Sequence, residues 1–241
     1  MCPILSEKEQ PALKAAGSFC FACHDNLPCF TRCCRDVNIY LTPYDILRLR
    51  RSLKIDSGEF LSRYTRHFIA REIHIPVVQL EMNPETLYCK LVTDEGCSVY
   101  ENRPWACRMF PLDLGDVSGE YRMIAGKERC LGLNESSTWV VEDWLNSQSV
   151  QPHLEMDHAF EKVLPPPGFK AATGMETDLG NLLFLAYDLD RFASLLDDIQ
   201  LRAIYDLDDD MLRRVREDDE ALLKLAFIHI RRQIEELYQA V

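Results

Sequence analysis

The stretch Cys20–Cys34, CFACHDNLPCFTRCC, places five cysteines in fifteen residues and ends on an adjacent pair, Cys33 and Cys34. Asp25, Asn26 and Arg35 are polar neighbours, so core packing does not account for this density. Asn26 and Pro28 mark a turn, and the segment reads as irregular. Thiolates are soft ligands that suit zinc, iron and iron-sulfur clusters. The spacing C-x2-C-x5-C-x3-C-C is neither the bacterial ferredoxin run nor the plant ferredoxin pattern. A thioredoxin-type C-x2-C follows a strand, and none is expected before Cys20. Neighbouring side chains diverge in most backbones, so Cys33 and Cys34 are expected to serve one site each, or else one of them is a packed thiol.

Beyond this segment the cysteines are Cys2, Cys89, Cys97, Cys107 and Cys130, ten in all. Four thiolates per centre is the usual count for zinc and for cubane clusters. Setting aside Cys2 leaves nine. Eight of these would fill two tetrahedral sites, or one site plus structural or redox thiols.

The bulk composition restricts the class of protein. The 241 residues suit one large or two small domains, and 47% apolar with 27% charged is ordinary for a soluble chain. Thirty-nine acidic residues against 27 basic ones give a formal charge of −12. Phosphate neutralisation needs the opposite balance, so no nucleic-acid partner is expected. The apolar runs LLFLAY (182–187) and LLKLAFIHI (222–230) fall short of the roughly 20 residues that span a bilayer. The first nineteen residues lack the order of a secretion signal. No membrane association and a cytoplasmic location are therefore expected, and there clustered cysteines point to metal or catalysis rather than disulfides.

The fold expected is α+β: mostly helical, with a small antiparallel β-hairpin beside a cysteine-rich metal-binding region. Residues 1–18 read as an N-terminal arm, 19–164 as the cysteine-cluster domain and 165–241 as a helical C-terminal region, with PPPGF (165–169) as the boundary. TPYDILRLRRSL (42–53) predicts a helix capped by Thr42, with Pro43 first and Asp45 closing a capping box. DSGEFLSRYTRHFIAR (56–71) predicts a second helix. VNIYL (37–41) is a strand candidate, and IPVVQLEM (75–82) with TLYCKLV (86–92) reads as a hairpin. A short helix over Trp105–Met109, a strand in GEYRMIAG (119–126) and a Ser/Thr-capped helix in SSTWVVEDWLNSQSV (136–150) complete the middle of the chain.

These motifs together carry a resemblance. FACHDNLPCFTRCC (21–34), IYLTPYDILRL (39–49), YCKLV (88–92) and CSVYENRPWACRMFP (97–111), with Cys130, resemble the YkgJ-type cysteine-cluster family, described as zinc- or iron-chelating proteins. The family also looks related to flagellin lysine N-methylases, which carry an iron-sulfur cluster. The resemblance covers about residues 19–132 and implies a ligand set of Cys23, Cys29, Cys33, Cys34, Cys89, Cys97, Cys107 and Cys130. Many members have a tighter first cluster, C-x2-C-x2-C-C, and the longer loop here looks more like the methylase branch.

Arg103 and Arg108 flank Cys107, and guanidinium groups there would offset thiolate charge from outside the ligand shell. His24 is a candidate mixed ligand beside Cys23, whereas the other histidines show no ligand spacing. The function expected is metal binding through iron-sulfur or zinc. Two alternatives stand beside it: an S-adenosylmethionine-dependent protein lysine N-methylase-like enzyme with an iron-sulfur cluster, and a zinc-stabilised interaction module whose acidic C-terminal helices dock a protein partner.

Overall fold

The computed structural model describes residues 12–70, 75–165 and 176–239. In chain order the first elements are β1 (Leu13–Lys14), β2 (Ser18–Cys20), α1 (Pro43–Leu53), α2 (Ser57–Tyr64), β3 (Thr65–Ile69) and β4 (Pro76–Leu80). Next come β5 (Val92–Thr93), β6 (Gly96–Cys97), α3 (Trp105–Met109), β7 (Leu112–Leu114), β8 (Glu120–Met123), β9 (Thr138–Val140) and α4 (Val141–Ser147). The remainder is helical: α5 (Gln151–Glu161), α6 (Glu176–Phe184), α7 (Leu189–Leu195), α8 (Ile199–Ile204), α9 (Asp209–Glu217) and α10 (Asp219–Gln239). The architecture is α+β and mostly helical, with small antiparallel pairings. Cys2, His74 and residues 166–169 of the PPPGF stretch lie outside the described residues. No described helix is long and apolar enough to cross a membrane.

Backbone packing groups the chain into two discontinuous units. One is Met1–Ile39 with Glu81–His153, and the other is Tyr40–Leu80 with Leu154–Val241. This differs from the expected linear division into 1–18, 19–164 and 165–241. The apolar faces of α1 and α2 need helical partners, and α7 and α10 supply them, so residues 40–80 pack with the C-terminal helices.

The cysteine-bearing unit is built from short antiparallel pairings. A three-stranded sheet has the order β1-β8-β7, and β2 pairs with β9 in the register Phe19↔Trp139. Its core is aromatic. Trp144 of α4 meets Phe19, Phe21 and Trp139 edge-on at 6.1, 5.3 and 5.1 Å between ring centroids, geometries that aromatic quadrupoles favour. Two expectations are corrected here. Part of the arm is strand, since Leu13–Lys14 and Ser18–Cys20 both pair. The helix expected from Ser136 begins only at Val141, without a side-chain cap. The β-branched and aromatic Thr138-Trp139-Val140 fits a strand better once Ser18–Cys20 offers a partner.

In the second unit, α1 starts as its sequence predicts. Thr42 Oγ1 accepts from the Asp45 amide at 3.2 Å, and Asp45 Oδ2 accepts from the Thr42 amide at 3.1 Å. Ile46, Leu47 and Leu49 are buried. The second predicted helix stops at Tyr64, because Thr65 takes an extended conformation and leads into β3. β3 pairs along its whole length with β4, from Thr65↔Leu80 to Ile69↔Pro76. β4 alternates buried Pro76, Val78 and Leu80 with more exposed residues, the signature of a half-buried strand. The predicted 75–92 hairpin is corrected accordingly: β4 turns back to β3, and only the single bridge Met82↔Cys89 remains of the expected pairing. The VNIYL strand is likewise reduced to one bridge, Tyr40↔Gln79.

Acidic residues tie these helices together. Arg50 is 9% exposed and lies 2.8 Å from Asp219 and 3.4 Å from Asp190. Ser57 donates its hydroxyl to Asp188 at 2.7 Å and its amide to Asp190 at 2.6 Å, and Tyr44 donates to Glu220 at 2.9 Å. Apolar burial of Phe60, Leu183, Phe192, Leu223 and Ile230 supplies the core, each side chain contributing about 1.5–3 kcal/mol.

One carboxylate in this unit opposes the fold when ionised. Burial, and then the charge of Asp45, push Asp157 from 3.8 up to about 7, although the Thr42 side chain donates to it. One of its oxygens is buried without a partner. The unfolded chain releases this proton near pH 4 and the folded chain near pH 7, so stability falls as pH rises through that window. Asp157→Asn should therefore raise the melting temperature by several degrees at pH 8 and leave it nearly unchanged at pH 4. Thermal melts at both pH values check this.

Candidate metal centre

The first cysteine segment is fastened at both ends by backbone hydrogen bonds. At its start, Phe21 donates to Ser137 O at 2.9 Å and Ala22 to Gly132 O at 3.0 Å. A Cβ on Gly132 would lie 2.4 Å from Ala22 O, so only glycine lets the two strands of chain approach. This sets Cys23 beside the segment that carries Cys130. At its far end, a 3-10 turn over Arg32–Cys34 presents Cys34 O to the Cys89 amide at 2.8 Å, and Asp36 donates to Leu87 O at 2.8 Å.

From Cys89 the chain enters the tight β5–β6 pairing, which sets Cys97 opposite Val92. Gly96 sits there at φ 117°, a backbone conformation that glycine adopts without strain. Cys107 follows in α3, the short helix expected at Trp105–Met109.

The eight cysteines of the expected ligand set are in the reduced thiol form, and all lie in this one unit. Cys23 and Cys33 are exposed, Cys29 is buried, and Cys34, Cys89, Cys97, Cys107 and Cys130 are half-buried. Cys20 is disulfide-bonded and stands outside this set.

The thiols act on one another electrostatically. Cys23 is pushed up to about 11, first by desolvation and then by the charges of Cys33, Cys130 and Cys29. It is exposed as a residue, yet its sulfur is crowded enough for desolvation to dominate. Desolvation also raises Cys89, with Cys97 adding to it, and raises Cys130, with Cys29 and Cys33 adding. Cys97 is raised by desolvation and, more weakly, by Cys33.

Cys33 and Cys34, with sulfurs 4.0 Å apart, share a hydrogen bond. It lowers Cys33 and raises Cys34, which also feels Cys107 and Cys89. The first proton leaves this pair readily and the second is held.

Backbone N–H groups compensate in part. The Leu91 amide donates to Cys89 Sγ at 3.4 Å. The backbone of Val99 lowers Cys97, and the backbone of Gly132 and Leu133 lowers Cys130. Donors aimed at sulfur favour its anionic form.

Two arginines have distinct placements. The Arg103 guanidinium lies 3.6 Å from the Tyr100 ring centroid and donates to Tyr100 O at 2.9 Å and Gln148 Oε1 at 2.8 Å. Its charge lowers Cys23, Cys33 and Cys97. Arg108 is 6% exposed and donates to Arg103 O at 2.8 Å, Gln148 O at 2.7 Å and Glu101 O. It clamps the turn that carries Arg103. Gln148 and Gly132 showed no ligand chemistry in the sequence, since Gln148 only receives the two arginines and Gly132 acts through its backbone, both by pairings that the fold alone brings together.

Three of the described histidines have partners other than cysteine. His24 Nε2 is 3.9 Å from Glu135, His67 faces the Phe184 ring at 4.8 Å, and His229 hydrogen-bonds Tyr205 at 2.9 Å.

The donor chemistry fits a thiophilic metal. A coordinated cation reverses the cost of deprotonating neighbouring thiols, and free soft sulfurs suit zinc, iron or iron-sulfur. Among the described residues, no three His, Cys, Asp or Glu side chains are gathered closely enough to hold an ion without side-chain rearrangement.

A family model described as "Putative zinc- or iron-chelating domain" matches residues 22–137. Neither the curated proteins nor the solved structures compared with the chain gave a match. The family pattern spans the first cysteine segment, the β5–β6 turn, α3 and Cys130, the segments that the backbone hydrogen bonds fasten together. Residues 22–137 match the YkgJ-type cysteine-cluster family of zinc- or iron-chelating domains, a match that supports a metal-binding protein.

Proposed function

We propose that Cys23, Cys29, Cys33, Cys34, Cys89, Cys97, Cys107 and Cys130 hold the metal, as zinc or as an iron-sulfur cluster, and that Arg103 offsets the charge of the loaded centre. The observation that carries this reading is the gathering of these eight reduced cysteines in one unit, where they enter one another's electrostatic surroundings. Bound metal would cross-link segments otherwise joined by short pairings, and for a structural zinc this contributes on the order of 10 kcal/mol to folding. Arg108 keeps the 101–103 turn in place, and Arg103 then presents its guanidinium to thiols from both halves of the motif. The methylase and interaction-module alternatives rest on resemblance and on acidic helices, and no observation at the site favours either.

Anaerobic purification followed by metal analysis, acid-labile sulfide and a visible spectrum tests the reading and separates its two forms. Iron with sulfide and broad visible absorption marks a cluster, and colourless protein with stoichiometric zinc marks a structural site. Protein that carries no metal and takes up none would overturn the proposal. Stripping the metal, or the double change Cys97→Ser with Cys107→Ser, should lower the melting of the cysteine-bearing unit and spare most of the far-UV helical signal. Arg103→Gln should reduce metal affinity by roughly ten- to a hundredfold in a chelator competition, with the circular dichroism spectrum retained. An unchanged affinity would remove Arg103 from that role.

A further inference from the structure

We propose that the outward face of α8 docks a basic protein surface, with Ile199 and Ile204 entering an apolar groove of the partner and the aspartates around the helix meeting lysine or arginine at the groove's edge. The surface lies in the second unit and is independent of the metal reading.

α8 is largely apolar, yet it buries none of its residues. Leu201 and Arg202 form its half-buried side, with Tyr205 just beyond its end. Ile199, Gln200, Ala203 and Ile204 are all exposed, and their i, i+1, i+4, i+5 spacing places them on one side of a helix. That face carries no charge, in a chain of which 27% of the residues are charged. Ile199 is 72% exposed, more than any other large apolar side chain among the described residues, and Ile204 is 44% exposed. A single exposed aliphatic residue is ordinary, whereas two on one uncharged face mark a surface that binds.

The face is held outward by bonds at both ends. Beyond the C-terminal end, Tyr205 Oη and His229 Nδ1 of α10 lie 2.9 Å apart, and the buried His229 ring also meets Phe192 of α7 at 5.6 Å. At the other end, Asp198 accepts from the Gln200 amide at 2.8 Å, and Arg216 of α9 donates to Asp197 at 2.6 Å. Arg202 donates to Asp209 at 3.1 Å. Turning the isoleucines inward would break these contacts.

Charge selects the occupant. Residues 197–210 hold six aspartates and one arginine. Arg202, Arg213 and Arg216 pair with Asp209, Asp210 and Asp197. Among the described residues Asp198, Asp206 and Asp208 make no ion pair, so negative charge stands at both ends of the face. A second copy would set this rim against itself, and like charges across an interface disfavour association. Nucleic-acid phosphates and anionic lipid are repelled in the same way. A helix-binding groove with an apolar floor and basic edges satisfies both the isoleucines and the aspartates.

The test uses the full chain as purified and a labelled synthetic amphipathic helix of leucine and lysine, with binding read by fluorescence anisotropy. A lysine–serine peptide of the same charge and a leucine–glutamate helix serve as comparison probes. The leucine–lysine helix should bind most tightly, and its affinity should fall as salt is raised. Ile199→Ser with Ile204→Ser should weaken it about tenfold or more. Leu114→Ser with Val117→Ser, which removes two exposed apolar side chains from the other unit, should leave it unchanged. If the double variant at α8 lowers the melting temperature, Ile199→Ser alone is used, with a smaller loss in the same direction expected. Failure of the leucine–lysine helix to bind, equal binding of the lysine–serine peptide, or equal loss in both double variants overturns the proposal. A dimer in sedimentation that Ile199→Ser with Ile204→Ser abolishes also overturns it, and makes the occupant a second copy.

Discussion

Thiols crowded out of water resist losing their protons, and each neighbouring thiolate increases the resistance. The cysteine-bearing unit is organised around that constraint. Desolvation is the largest influence on Cys23, Cys89, Cys97 and Cys130, and the charges of other cysteines add to it. Such a cluster is unfavourable as free thiolates and favourable around a cation, so the sulfur crowding that weakens the metal-free state becomes the source of its affinity. The surrounding groups lean the same way. The Leu91 amide donates to Cys89 sulfur, the backbone of Val99, Gly132 and Leu133 lowers the thiols beside it, and Arg103 brings positive charge to three of the thiols.

Little regular structure is needed to hold these positions. The strands of this unit are two to four residues long, and its ring cluster around Trp144 is compact. Single hydrogen bonds between distant backbone segments do the placing instead, Ala22 to Gly132 and Cys89 to Cys34. Arg108 extends the principle, spending a buried guanidinium on three carbonyls so that the preceding turn keeps its shape. A unit with so few ladder bonds and so many soft ligands fits the class of small domains in which metal coordination and folding are coupled.

The second unit is stabilised by different means. Its helices bury aliphatic and aromatic side chains in the ordinary way, and its acidic residues turn inward at helix starts. Asp188, Asp190, Asp219 and Glu220 meet Ser57, Arg50 and Tyr44. Part of the acidic excess that looked like a docking face in the sequence is thus used to join α1 and α2 to α7 and α10. Asp157 is the exception, a buried carboxyl that feels the charge of Asp45 and retains its proton toward neutral pH.

Local signals were legible wherever a few adjacent residues decide the outcome. The Thr42–Asp45 capping box, the start of α1 at Pro43, the helix at Trp105–Met109 and the strand within 119–126 depend on neighbours in sequence. The chelating chemistry was legible for the same reason, since thiol softness belongs to cysteine itself and the spacing excluded the common cluster motifs. Partners far apart in the chain were not legible. Thr65–Ile69 carries helical and strand propensities that only β4 resolves, and Thr138–Val140 became a strand because β2 lay beside it. Gly132 looked like any loop glycine until Ala22 approached it, and Arg103 and Arg108 looked equivalent until the fold aimed one at thiols and the other at carbonyls. The sequence by itself determined which atoms could bind a metal. Only the tertiary structure decided which sulfurs are neighbours, because hydrogen bonding between remote backbone segments leaves no local pattern to read.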